Sequence, residues 1–213
     1  MKQLLYIVLT AVLILGMVYV YLHRQVLGLS WLPGFGMDES TSSDQSDANS
    51  APARMIWQKV DRTPDGFKVE LPSDTKDIQV PAYNERGGSE PVNMILANPD
   101  AETSFSVAWA DNPPVARANA HAADKTLDMA RDDALARTQS RLINESHASF
   151  GGYPARDFEG RNVEGGVINS RLIYAGQRLY MLIAAFPSAG ARRDRDVSRF
   201  FNSFAVTSSA GTQ

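Results

Sequence analysis

Leu179–Phe186, LYMLIAAF, is an unbroken run of eight apolar residues, and its reading decides the fold. A strand with one wet face alternates apolar and polar residues, whereas continuous apolarity implies burial on both faces. The run therefore predicts a central strand with a layer on either side. It returns from a turn at Gly176-Gln177 that follows the strand-like RLIYA, Arg171–Ala175. One layer can come from upstream, where Ala116, Ala120, Ala123, Leu127, Ala130 and Ala134 recur at spacings of 4, 3, 4, 3 and 4. That period predicts a helix of about 24 residues with a narrow stripe of small side chains. The second layer can come from a shorter helix, Ala191–Asn202, through Val197, Phe200, Phe201 and Phe204. The expected class is α+β: an antiparallel β-sheet sandwiched between helices, an α/β/α arrangement.

Further strands read outward from this centre. MIWQKV (Met55–Val60) and GFKVELP (Gly66–Pro72) alternate around a turn at Pro64-Asp65-Gly66. VNMILA (Val92–Ala97) and TSFSVAWA (Thr103–Ala110) form a second pair joined through Asn98-Pro99-Asp100, and Pro113-Pro114 ends that run. The polar side of the long helix carries Asp124, Lys125, Asp128, Arg131, Asp132, Asp133 and Arg137. Charges at this spacing describe a solvated face, on which Asp128→Ala should be nearly silent. RRDRD, Arg192–Asp196, reads the same way, the alternative being a small anionic contact.

The segment HASFGGYPARDFEGR, His147–Arg161, concentrates the residues that could do chemistry. Gly151-Gly152 between two strand-like runs is a two-residue hairpin turn, since both positions accept positive φ. The register follows. Phe150 opposes Tyr153, Ala148 opposes Ala155, Ser146 opposes Asp157 and Asn144 opposes Glu159 on one face. On the other face His147 opposes Arg156 and Glu145 opposes Phe158. A metal site would need Glu145, His147, Asp157 and Glu159 to converge, and this register sends them to opposite faces. His147 has Ser146 and Ser149 as sequence neighbours, but neither is placed for it to act as a base. Asp157 and Glu159 share a face and are the only pair resembling a glycosidase arrangement, one that two acids on a wet strand also satisfy. The chain has no G-x-S-x-G elbow, H-E-x-x-H, P-loop or dinucleotide glycine motif. His121 falls on the polar side of the helix, and His23 flanks the apolar N-terminal segment. No catalytic, cofactor-binding or metal-ligating residue is assigned, and no cofactor is expected.

The N-terminus reads differently. Leu4–Leu22, LLYIVLTAVLILGMVYVYL, is 19 residues without a charge, and at ~1.5 Å per residue it spans ~28 Å, about one hydrocarbon core. A cleaved signal peptide would need a small-x-small site, yet Met17–Leu22 are bulky. Tyr19, Tyr21, Trp31 and Phe35 suit a membrane interface. Residues 1–35 are therefore expected to be a transmembrane anchor with an interfacial flank, contacting the bilayer through residues 4–22. Lys2 and the amino terminus are nearly balanced by Arg24 and His23; the orientation adopted is N-terminus inside. Gly36–Ala53 is rich in Ser, Asp and Ala with Met37 its one large apolar residue, so it reads as a disordered tether. Residues 54–206 form the expected domain, and 207–213 a flexible tail. The net charge is −3, of which residues 54–213 carry about −1, so there is no electrostatic case for nucleic acid. Cysteine is absent, which excludes disulfides, thiol catalysis, Cys-ligated metals and a lipoprotein anchor.

The order of these pieces resembles the PsbP-like superfamily. The resemblance runs from about Trp57 to Phe204: W-x2-V at Trp57–Val60, GFKVELP, the long helix, GGYPARDFEG, RLIYAGQRLYMLIAAF, and RFFNSF at Arg199–Phe204. It implies the same layered α/β/α fold, found in photosystem extrinsic subunits, bacterial envelope proteins and nuclear-transport cofactors, most of which work by binding. It transfers no catalytic residue. The chain differs from the bacterial lipoprotein members in lacking their anchoring cysteine, which a transmembrane helix would replace. The expectation is a non-catalytic binding or accessory module at the outer face of a bacterial cytoplasmic membrane, with an unidentified protein partner. The alternatives are a hydrolase using Glu145, Asp157 and Glu159, and a cytoplasm-facing tethered partner of a nucleotide-binding protein.

Overall fold

The computed structural model describes residues 55–83, 89–111, 120–176 and 178–207. The Leu4–Leu22 segment, the 36–53 tether, the 208–213 tail, Pro113-Pro114 and the first residues of the expected long helix lie outside the described residues. Among the described residues, no helix is long and apolar enough to cross a membrane.

The chain forms β1 (Trp57–Arg62), β2 (Phe67–Pro72), β3 (Thr75–Tyr83), β4 (Ser89–Ala97), β5 (Ser104–Asp111), α1 (Ala120–Arg137), β6 (Ser140–Phe150), β7 (Tyr153–Asn162), β8 (Val167–Ala175), β9 (Arg178–Phe186), α2 (Asp194–Ser203) and β10 (Ala205–Val206). Seven strands make one antiparallel sheet in the order β3-β4-β5-β9-β8-β7-β6. The strand that holds LYMLIAAF, β9, is fourth of seven, the central position its composition demands. Leu182 and Ala184 are fully buried toward one face, and Met181 and Ile183 are buried toward the other.

The first layer is α1, whose Ala123, Leu127, Ala130 and Ala134 are buried against Phe158, Ile168 and Leu172 of the sheet. Small side chains let the helix approach closely, and the sheet reciprocates. A Cβ on Gly160 would lie 2.7 Å from the Leu135 side chain and 3.0 Å from that of Ile168, so a larger residue at that point of β7 would force those side chains to shift. Burying one leucine such as Leu127 completely contributes about 1.5–3 kcal/mol.

The second layer differs from the expectation of helices alone. A separate three-stranded sheet, β1-β2-β10, packs there beside α2. β2 alternates in sequence, and its inward residues Phe67, Val69 and Leu71 join Phe200, Phe201 and Phe204 in the core. Phe67 stacks on Phe204 at 5.6 Å and meets Trp109 edge-on at 5.0 Å. The two sheets are pinned polar-to-polar as well. The Tyr180 hydroxyl donates to the Gly66 carbonyl at 3.1 Å, and Arg178 donates to the Asp65 carbonyl at 2.6 Å. A second sheet was not legible because alternation identifies strands without saying which sheet they join. The sequence reading also lacked two strands, the two-residue β10 and β3, TKDIQVPAY, whose polar composition hides its pairing with β4.

Candidate functional site

The residues that could do chemistry sit on the β6–β7 hairpin, at the edge of the large sheet. Gly151 and Gly152 have φ of 58° and 85°, the left-handed values a two-residue turn needs. The register is the one expected, from Phe150↔Tyr153 through His147↔Arg156 and Ser146↔Asp157 to Asn144↔Glu159, with an irregularity between Leu142 and Asn144. Glu145 and His147 therefore face α1, while Asp157 and Glu159 face the α2 side. The four do not converge. Among the described residues no three His, Asp or Glu side chains are grouped to hold a metal ion.

The α1 side corrects the sequence reading. Asp128 was expected on a solvated helix face, yet it pairs with Arg156, whose side chain is only 1% exposed. Arg156 also lies 3.3 Å from Glu145 and 3.5 Å from Asp124. Its Nη2 contacts Nδ1 of His147 at 3.3 Å, and a guanidinium has only donors, so Nδ1 accepts. Arg131 reaches Glu145 at 2.5 Å, Asp132 at 2.7 Å and Asp128 at 3.2 Å. Burial works against the Arg131 charge, and its hydrogen bonds to Glu145 and Asp132 outweigh that and hold its pKa above the ordinary value. The helix is thus fixed to the hairpin by ions above an apolar stripe. The cause is simple geometry: Arg156 alternates in register with Phe158, so a strand packed under a helix carries its guanidinium inward. Asp124 and Asp128, one turn apart, rim the same side.

The α2 side carries a polar shelf. Arg171 grips Asp157 through two hydrogen bonds, at 2.8 and 2.7 Å, donates to the Phe201 carbonyl at 3.2 Å, and lies over the Phe150 and Phe201 rings. Arg192 binds Glu159 at 2.6 Å, and Arg161 stands 3.5 Å from the same carboxylate. RRDRD was read as a solvated face. Instead Arg192 and Arg193 precede α2, Arg192 pairs with Glu159 and Asp194, and Arg193 pairs with Asp100. Between these ion pairs lies an open recess of about 210 Å³ lined by Asn144, Ser146, Asp157, Glu159, Asn169 and Phe201. Both carboxylates already spend an oxygen on a guanidinium, which fixes their orientation. Ser146 and His147 are on opposite faces of β6, so they make no nucleophile–base couple. Sequence reasoning passed over Asn169; its signal was a lone amide in the apolar strand VINSRLIYA.

No protein-family model matches the chain, and no curated protein sequence does. Among solved structures it is similar to cyanobacterial PsbP (CyanoP) from Synechocystis sp. PCC 6803, with 19% identity and a TM-score of 0.48, over 75% of this chain and 98% of that one. It is also similar to PA94, a protein of unknown function from Pseudomonas aeruginosa, with 13% identity and a TM-score of 0.33, over 68% of this chain and 91% of that one. Both likenesses concern overall shape and say nothing of a ligand or partner. The described residues have, by their own strand order and layers, the antiparallel α+β architecture that the PsbP-like resemblance implies.

Proposed function

We propose that this chain is a membrane-tethered, extracytoplasmic binding module, anchored through Leu4–Leu22 and held clear of the headgroups by the 36–53 tether. An 18-residue coil spans roughly 20–25 Å. The observation that carries the non-catalytic part is the pairing of every acid an enzyme would draw on: Glu145 with Arg131, Asp157 with Arg171 and Glu159 with Arg192. The anchorage rests on 19 uncharged residues that end in the bulky Met17–Leu22 rather than in a small-x-small site.

Alkaline carbonate extraction of membranes, followed by N-terminal sequencing, tests the anchor. The full-length chain should stay with the membrane and begin at or near Met1. A mature chain starting between residues 20 and 36 would sink the anchor. Protease added to intact spheroplasts should degrade the domain; protection would place it in the cytoplasm instead.

A further inference from the structure

The shelf on the α2 side of the hairpin has a composition that selects a ligand class. Two rows of side chains cross it on one face. Asn144, Glu159 and Asn169 stand side by side on β6, β7 and β8, and Ser146, Asp157 and Arg171 form the next row. Neighbouring strands are about 4.8 Å apart, so amide, carboxylate and hydroxyl groups recur within the reach of one small molecule. The charges cancel locally, because Asp157 is held by Arg171 and Glu159 by Arg192. An anion would have to displace a carboxylate from its guanidinium, and a cation the reverse. Neither gains.

What the shelf does offer is uncharged hydrogen bonding. Carboxylate oxygens retain acceptor capacity after one guanidinium contact each, and Ser146 and Asn144 both donate and accept. The side-chain nitrogen of Asn169 is buried, and among the described residues it has no hydrogen-bond partner. A buried donor left unmet costs stability, and a ligand acceptor placed there recovers it. A hydroxyl group donates and accepts at once, so a ring bearing several of them matches both rows. Phe201 lines one side, only 8% exposed and with its ring covered by Arg171. The volume, about 210 Å³, is below the roughly 300–1,000 Å³ of drug-sized sites, which fits one ring.

We propose that this recess between Asn144, Ser146, Glu159 and Asn169 is a binding site for a neutral, hydroxyl-rich ligand, a single saccharide unit. The proposal deepens the reading of the chain as a binding module and does not depend on its anchorage.

The test is saturation-transfer NMR on the full-length chain in an alkyl-phosphocholine detergent, which carries no sugar headgroup, with glucose and N-acetylglucosamine as probes. Saturation should pass to the ring protons of at least one of them at millimolar concentration. Asn169→Ala should weaken binding about tenfold, the worth of one hydrogen bond. Ser146→Trp, an exposed position on the edge strand, should fill the recess and abolish the signal while near-UV dichroism stays that of the wild type. No transfer to either sugar, or undiminished transfer in Ser146→Trp, overturns the proposal. If the sugars fail while the chain still retains a protein partner on affinity capture, the ligand class falls and the module reading stands. A bound glycan cleaved by the wild type but not by Glu159→Gln would support the ligand class and sink the non-catalytic reading.

Discussion

Replacing Asp128 by alanine tests whether the buried guanidinium of Arg156 is what fixes α1 to the hairpin. Removing one partner of a fully buried ion pair costs about 3–5 kcal/mol, because a charge is left uncompensated. Here the cost is smaller, since Glu145 remains at 3.3 Å and Asp124 at 3.5 Å, and the Asp128 side chain is 46% exposed. Solvent already screens half of the pair. The expected loss for Asp128→Ala is therefore about 2 kcal/mol, and at roughly 2–4 °C per kcal/mol the melting temperature should fall by about 4–8 °C. Arg156→Met removes the buried charge and keeps the volume, while Glu145 retains Arg131. Added to Asp128→Ala, it should recover most of the loss, leaving less than about 1 kcal/mol. The assay is thermal unfolding of the full-length chain in one detergent, followed by near-UV dichroism, for the wild type, both single variants and the double variant. If Asp128→Ala melts with the wild type, the helix face is as solvated as its sequence suggests and the reasoning fails. A double variant less stable than the sum of the singles would also refute it.

Leu182→Asp should abolish folding: the residue is fully buried at the middle of the central strand, and an unpaired buried carboxylate costs several kcal/mol, comparable to the ~5–15 kcal/mol of a whole domain. Loss of all near-UV dichroism is expected, and a cooperative melt would contradict the doubly covered strand. Gly152→Val should lower stability by about 1–2 kcal/mol, since φ of 85° strains a β-branched residue although nothing lies within 4 Å of its Cβ; unchanged urea denaturation would mean that the turn is not as described. Burial raises the Tyr180 phenol above its ordinary value of 10.0, with Arg178 opposing. The folded state thus holds this proton more tightly than the unfolded chain does. The associated stability is complete below pH 10 and is lost as pH rises through the raised folded value. Tyr180→Phe should flatten that alkaline decline, and an identical pH profile would remove the phenol as its cause.

What the sequence determined by itself was whatever depends on periodicity and local chemistry. Eight apolar residues placed Leu179–Phe186 at the sheet centre, a four-three repeat of alanines chose the buried side of α1, and two glycines set a hairpin register correct at every pair read from them. These are short-range signals: a side chain's face follows from its neighbours along the chain. Tertiary structure decided the rest. That β1 and β2 leave the main sheet to form a second one with β10 depends on Ala205 and Val206 returning to Lys68 and Phe67, more than a hundred residues away. The fate of charges was equally non-local. Asp128 and Arg156 lie in different elements, and nothing within either segment distinguishes a carboxylate facing water from one facing a buried guanidinium. Charge in a sequence is read as wet because ions are costly to bury, and that inference fails where the fold supplies the counter-ion.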